Sequence, residues 1–316
     1  MTEKIRAPRN RTLTLSEGEY SRYADSLVHL GDCPLALDEI LDHTVHADLF
    51  DALEKLPLSF ADLLVIDPPY NLAKDFHGFK FSASDDEAYL EYVLSWLAPV
   101  CKALKPTGSA YLCGDWRSAL SLYRAMQGLL VVRNRITWQR EKGRGAKANW
   151  KNSTEDIWFA TAGEEYWFDV DAVKLKRRVV APYRENGEPK DWEETDEGRF
   201  RLTHPGNFWD DISVPYWSMP ENTDHPTQKP EKLIAKIILA SCPPGGIVLD
   251  PFLGSGTTSV VAKKLGRHFV GIEQNEEYCA WAEKRLELAE SDPEIQGYSG
   301  GVFWERNALS RKRART

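Results

Sequence analysis

Ile247-Val248-Leu249-Asp250-Pro251-Phe252-Leu253-Gly254-Ser255-Gly256-Thr257-Thr258 decides the fold. Three aliphatic residues ending in an acid read as a buried strand, the two glycines as a tight turn, and the run to Gly266 as a helix. His268-Phe269-Val270-Gly271-Ile272 reads as a second strand, closed by Glu273. Strand, glycine-rich turn, helix and strand ending in an acid make a nucleotide-binding βαβ unit. Gly254 and Gly256 allow the backbone to approach a ligand closely. Glu273 lies 17 residues beyond Gly256 (273 minus 256), where it can bind ribose hydroxyls. The spacing is neither G-x-G-x-x-G nor a phosphate loop with its G-K-[ST], so the ligand contains a ribose without needing phosphates.

Working toward the N-terminus, Asp62-Leu63-Leu64-Val65-Ile66 is another short apolar run and reads as a buried parallel strand. It ends in Asp67-Pro68-Pro69-Tyr70. Ligands of open α/β sheets bind outside the carboxyl ends of strands. There Asp67 can accept a hydrogen bond from an amino group, and Pro68, lacking an N–H, offers only a carbonyl. Pro69 restricts Pro68 to an extended conformation, which holds that carbonyl in place. Tyr70 supplies a flat ring on which a base can stack.

Other segments follow the same alternation. Strands are expected at 44–48, 109–113, 129–138 and 156–160, and helices at 50–56, 85–106, 120–126, 231–241 and from Trp281 to Ala289. Residues 71–84 read as a loop. From Lys174 to Asn222 helical periodicity disappears, leaving prolines, acids and aromatics. That is too long for an ordinary connection, and it reads as an inserted recognition element or a partly ordered lid.

The 316 residues suit one large α/β domain or two ordinary ones. No apolar run approaches membrane-spanning length, and the N-terminus lacks a signal-peptide core. The five cysteines are odd in number and without CxxC spacing. A disulfide framework and a structural zinc site are therefore unsupported, no metal is expected, and a reducing cytoplasm is favoured. The formal net charge of −8 argues mildly against nucleic acid as a partner. Local distribution counts for more. Residues 133–151 carry Arg133, Arg135, Arg140, Lys142, Arg144, Lys147 and Lys151 against Glu141 alone, and Lys174, Lys176, Arg177 and Arg178 form a second cluster.

Phe252-Leu253-Gly254-Ser255-Gly256 resembles the F-x-G-x-G motif of amino-group DNA methyltransferases, which bind S-adenosyl-L-methionine (AdoMet). Asp67-Pro68-Pro69-Tyr70 resembles their catalytic D-P-P-Y motif. His225-Pro226-Thr227-Gln228-Lys229-Pro230 is similar to the segment that precedes the cofactor motif in β-class members. Matching segments run from about Thr44 to Ala289, in the family's order.

The resemblance implies a Rossmann-like, seven-stranded, mostly parallel sheet, circularly permuted relative to the commoner methyltransferase order. It divides the chain into an N-terminal extension (1–43), a catalytic half (44–173), a target-recognition insert (174–224), an AdoMet-binding half (225–292) and a C-terminal tail (293–316). It places Asp250, Phe252, Gly254, Ser255, Gly256 and Thr257 around the cofactor, Glu273 on its ribose, and Thr227 and Lys229 near its methionine carboxylate. For its adenine, Asp48 and Asp32 compete. Asp48, 19 residues before Asp67 (67 minus 48), stands at the usual family spacing and is preferred.

The implied reaction is methylation of the N6 amine of a flipped-out adenine in duplex DNA. Asp67 and the Pro68 carbonyl would take the two amine hydrogens, Tyr70 would stack on the base, and Phe76 or Trp138 would form a second wall. Arg140, Lys142, Arg144, Lys147, Lys151, Arg177 and Arg178 are the expected DNA contacts, with Arg184, Arg199 and Arg201 as further candidates for base readout. A cognate restriction endonuclease is a candidate partner, and monomer and homodimer both stay open. The alternatives are N4-cytosine methylation, methylation of RNA or of a protein glutamine, and a catalytically inactive DNA-binding module. An Asp rather than Ser at position 67 favours adenine.

Overall fold

Leu63, Leu64, Val65 and Ile66 lie at the centre of the molecule. In the computed structural model, which describes residues 7–72, 74–76, 79–82, 84–140, 147–180, 182–195 and 198–306, they fall in one strand, β3 (Ala61–Ile66). Successive strand side chains point to opposite faces. Leu63 and Val65 enter one apolar core, and Leu64 and Ile66 enter another. A strand buried on both faces requires helices on both sides of its sheet.

That sheet has nine strands, in the order β1 (Val28–His29), β2 (His43–His46), β9 (His268–Glu273), β8 (Ile247–Asp250), β3, β4 (Leu104–Gly114), β6 (Thr154–Thr161), β5 (Val131–Gln139), β7 (Phe208–Trp209). Neighbours are parallel except at β6, which runs against both β4 and β5. The count exceeds the expected seven because β1 and β7, two residues each, extend the sheet at its edges.

Helices α1 (Glu17–Ala24) and α2 (Leu37–Ile40) precede the layers. One core lies under α3 (Leu49–Leu53), α4 (Asp86–Cys101) and α5 (Ala119–Gln127), the other under α6 (Glu231–Ser241), α7 (Thr257–Lys264) and α8 (Glu276–Ser291). Helix α4 starts where Asp85 accepts a hydrogen bond from the Ala88 amide at 2.9 Å, with Asp86 and Glu87 in its first turn. Tyr89, Val93, Trp96, Leu97 and Val100 then recur at helical spacing and are all buried. The N-terminal extension docks through α1, where Tyr20 bonds Glu276 and Lys284 bonds Glu19.

Helix α6 is buried at every position. Its outer side is covered by a second sheet of five short strands, ordered Glu193–Thr195, Gly198–Thr203, Leu175–Arg178, Val302–Trp304 and Tyr298–Ser299. Leu175 and Phe303 of this sheet join Trp209 and Ile212 in the α6 core. Two lysines of α6, Lys232 and Lys236, are buried with it and each lies 2.7 Å from an Asp211 carboxylate oxygen. Within residues 174–224, three strands of this sheet are thus packed onto the body of the molecule through α6. Part of the segment read as a C-terminal tail completes their sheet, because Phe303 and Trp304 gain cover there that a free end would not provide. The basic end, Arg311 to Arg315, lies outside the described residues. Within the expected loop 71–84, Lys74–Phe76 and Phe79–Phe81 pair as an antiparallel hairpin. The Asn71 side chain ties the loop's ends, donating to the Ser84 carbonyl at 2.9 Å and accepting from its amide at 2.8 Å.

Candidate active site

From β8 the chain proceeds to β9 on one side, and from β3 to β4 on the other. The carboxyl ends of β8 and β3 therefore diverge, and ligands bind in such a crevice. A cleft opens there. Asp67, Pro68, Pro69, Tyr70, Thr227, Lys229, Asp250, Phe252, Gly254, Ser255, Thr257 and Glu273, expected from three separate stretches, all line it.

Two expected residues stand apart from the lining. Asp48 caps α3, accepting from the Phe50 amide at 2.8 Å. Gly256 has φ of +82°, and a Cβ there would come within 2.5 Å of the Ala282 Cβ. Its bare Cα lets α7 approach α8, so its place in the motif is explained by packing. Gly254, with φ of +55°, does border the cleft, and a Cβ on it would lie 3.1 Å from His225 Nε2.

At the β3 end, Asp67 is gripped on both oxygens. The Tyr70 hydroxyl donates to Oδ1 at 2.9 Å and Lys229 Nζ to Oδ2 at 2.6 Å; the ammonium also lies 3.1 Å from the Tyr70 oxygen. Lys229, expected beside the cofactor carboxylate, thus has its charge on Asp67. Glu155 Oε2 approaches the same ammonium at 3.4 Å, and Glu155 Oε1 pairs with Arg140. Burial by itself would lower the Lys229 pKa, but Asp67 and Glu155 outweigh it and hold the group above the usual lysine range. Burial, reinforced by the charges of Asp67 and Glu155, pushes the Tyr70 phenol well above its ordinary value, so it stays a proton donor. Tyr89 donates to the Pro69 carbonyl at 3.0 Å, and among the described residues no group donates to the Pro68 carbonyl.

At the β8 and β9 ends the acids are held by the turn itself. Asp250 accepts from the Phe252 amide at 3.0 Å and the Thr258 hydroxyl at 2.5 Å. Glu273 accepts from the amides of Gly254 and Asn275, both at 2.8 Å. Burial nevertheless raises each carboxyl to about 7. Ser255 Oγ is buried beside the cleft with no hydrogen-bond partner among the described residues, so it can bond a ligand held there. A positively charged ligand such as a sulfonium would favour the ionised forms of Asp250 and Glu273.

The expected DNA contacts divide. Arg140 turns inward onto Glu155, its side chain 20% exposed, so it is not open to a phosphate. Lys147 and Lys151 are exposed and flank Trp150, which is 92% exposed; Lys142 and Arg144 lie outside the described residues. In the small sheet Arg177, Arg199 and Arg201 approach Asp210, Glu194 and Asp191. The guanidinium of Arg178 lies over the Phe200 ring and that of Arg184 over Trp192. Trp138 is 1% exposed and donates to the Ile212 carbonyl, so it is a core residue rather than a wall of the cleft. The Phe76 side chain lies outside the described part of the structure.

The model of the N6/N4 DNA methylase family matches residues 61–284. The chain belongs to that family. DNA adenine methyltransferase YhdJ of Escherichia coli (strain K12) is 35% identical over 253 residues, covering 78% of this chain and 82% of the relative. Type II methyltransferase M.HpaI of Haemophilus parainfluenzae is 33% identical over 254 residues, covering 78% and 73%. Among solved structures, the cytosine-N4-specific PvuII DNA methyltransferase superposes with a TM-score of 0.58 at 19% identity, over 77% of this chain and 86% of that one. The crystal structure of the M1.HpyAVI–SAM complex does so with a TM-score of 0.53 at 24% identity, over 77% and 98%. Both structures share the methylase's fold.

Sequence reasoning overlooked three side chains at this methylase's site. His225 and Tyr278, whose rings meet edge to face at 4.5 Å, line the cleft beside Gly254. Glu155 reaches Lys229 although the two are far apart in the chain. Its only local signal is an acid that closes a basic stretch just before an apolar strand.

Proposed function

We propose that this methylase transfers the methyl group of AdoMet to the N6 amine of an adenine flipped out of duplex DNA. One observation supports this most: the Asp67–Tyr70 turn and the Gly254–Glu273 turn open into a single cleft. The naming of a 35%-identical relative as a DNA adenine methyltransferase favours adenine over cytosine. In the cleft, Gly254, Ser255, Thr257 and Glu273 would hold the cofactor, with Thr227, Asp250 and Phe252 shaping the walls; Asp48, at the head of α3 outside the lining, would meet its adenine only from beyond the cleft. Bound there, the cofactor supplies an electrophilic methyl group on a positively charged sulfur.

The protein's own task is to make a poor nucleophile attack. The lone pair of an exocyclic amine is delocalised into its ring. Asp67 accepts one amine hydrogen and the Pro68 carbonyl the other, which draws the nitrogen toward tetrahedral geometry and localises the lone pair. Positioning and fixed dipoles supply most of the rate. Tyr70 keeps its proton and orients Asp67 through its hydroxyl. Lys229 Nζ lies beyond the hydroxyl edge of the Tyr70 ring, 3.1 Å from its oxygen and 5.4 Å from the centroid, so a base would stack on a ring face. Flipping the base costs a few kcal/mol, about what unstacking requires.

The finer architecture is read in the same way. β2, β9, β8, β3, β4, β6 and β5 are the seven family strands, and the permutation puts catalytic strand β3 before cofactor strand β8 in the chain. Residues 174–224, joined by the 298–304 segment, form the target-recognition module over DNA. A relative's type II name makes a partner endonuclease a candidate. Among the described residues, no helix is long and apolar enough to cross a membrane.

The test is incubation with methyl-labelled AdoMet and unmodified DNA, followed by digestion to nucleosides. N6-methyladenine is the expected product, and N4-methylcytosine would refute the adenine assignment. Asp67→Ala should lower transfer at least about a hundredfold while AdoMet still binds. Full activity in that variant would remove the amine-clamp mechanism.

A further inference from the structure

Asp67 has two claims on it. The target amine needs its carboxylate as a hydrogen-bond acceptor, yet Lys229 Nζ already donates to it at 2.6 Å. Both side chains are largely shielded, at 7% exposure for Lys229 and 20% for Asp67. An ammonium in such a place does not leave one anion for nothing, since stranding a buried charge is strongly unfavourable. A carboxylate has lone pairs enough for both donors, but its charge goes undivided to the amine when a second anion within reach takes up Lys229.

Glu155 is that anion. Its side chain is 3% exposed, and its Oε2 lies 3.4 Å from Lys229 Nζ without a hydrogen-bond partner of its own. A shift of well under 1 Å, within ordinary side-chain motion, would bring the ammonium to the ~2.8 Å of a charge-assisted hydrogen bond. The other oxygen, Oε1, is held by Arg140, whose guanidinium lies over the buried Trp138 ring. Arg140, Glu155, Lys229 and Asp67 form an alternating chain of two cations and two anions, so the charge is balanced wherever along it the Lys229 proton donor rests. Arg140 also begins the basic loop that presents Lys147, Trp150 and Lys151.

We propose that Glu155 is a positioning residue that receives the Lys229 ammonium as the target amine takes up Asp67. The inference rests on Asp67 being the amine acceptor, and no covalent step is added by it. The competing destination for Lys229 is the carboxylate of the cofactor.

The experiment compares Glu155→Gln, Glu155→Asp, Lys229→Met and the double variant E155Q/K229M in the full chain. It measures single-turnover methyl transfer alongside separate Kd values for AdoMet and for DNA. If Glu155 acts through Lys229, Glu155→Gln lowers the transfer rate at least about tenfold with both Kd values within about twofold, Glu155→Asp restores part of that rate, and the double variant is no slower than K229M alone. Unchanged Kd values also show that the variants are folded. Should the amide variant fail to fold, Glu155→Asp decides: a rate about threefold or more below native with an unchanged AdoMet Kd supports the proposal, and a native rate overturns it. A native rate in Glu155→Gln overturns it outright. So does a loss confined to the AdoMet Kd upon Lys229→Met, which would assign Lys229 to the cofactor. Asp67→Ala separates the two levels of the argument: if it stays active the amine-clamp reading itself fails, and if it is inactive while Glu155→Gln is native, only the role of Glu155 does.

Discussion

At the scale of single residues, the two glycines of one short motif have different physical duties. Gly254 borders the cleft and donates its amide to Glu273. Gly256 lies at the mouth of α7 with Ala282 pressed against its Cα. A methyl group there would be strained by the positive φ and blocked by a helix backbone as well as a side chain. Gly256→Ala should therefore cost about 2–5 kcal/mol of stability, summing the left-handed penalty and the overpacking. Urea unfolding would register this as a lower midpoint at unchanged slope, and a loss under about 1 kcal/mol would contradict the packing account. At the same scale, the Tyr89 hydroxyl ties down the D-P-P-Y turn by donating to the Pro69 carbonyl, while among the described residues no group donates to the Pro68 carbonyl.

At the scale of elements, the basic loop and the small sheet hold their cations differently. Arg140 at the root of the loop is drawn into the Glu155 pair, whereas Lys147 and Lys151 remain exposed around Trp150. Replacing both lysines by Ala should weaken DNA binding across all sequences. It should also flatten the dependence of log K on log salt by roughly 1 for each phosphate contact removed. Titrations at several salt concentrations measure this, and an unchanged slope would make the loop an ordinary solvated face. In the small sheet, Arg199 and Arg201 are each tied to a carboxylate, so they are less ready to read bases than their charge suggests. The C-terminal strands belong here as well. Phe303 is fully buried against α6, which joins the 298–304 segment to the strands of residues 174–224.

At the scale of the whole molecule, the ligand-free fold stores buried acids. Asp250 and Glu273 in the cleft, and Glu221 under α6, are each raised to about 7 by burial, with Glu231 adding repulsion at Glu221. Their unfolded values are near 4. Between pH 4 and 7 the folded state therefore holds protons that the unfolded state has released, and stability falls as pH rises through that window. The contribution is fully present below about pH 4 and is gone above about pH 7. The ligand-free protein should melt at least about 3 °C lower at pH 7.5 than at pH 5.5, since each pKa unit carries about 1.4 kcal/mol. Asp250→Asn should flatten that trend in differential scanning. A melting point that rises across the window would overturn it.

The two motif strands, the glycine turn, α6 and the residues that line the crevice were legible from residue order alone, because period and turn residues are local properties. Asp67, Gly254, Ser255 and Glu273 needed no neighbours to be singled out. Other features depend on what packs against a segment, and no local pattern encodes that. Trp138 reads equally well as a cleft wall or a core residue until Ile212 covers it. The tail becomes a sheet edge only because α6 offers Phe303 an apolar surface. Lys229 was legible as a cleft lysine, but its partner was not. Glu155, 74 residues earlier in the chain (229 minus 155), reaches it only when β6 and the 225–230 segment meet beside β3. Motifs name the groups that touch a ligand, whereas three-dimensional packing selects the buried charges that hold those groups in place, since a buried charge must find its counter-charge wherever the fold supplies one.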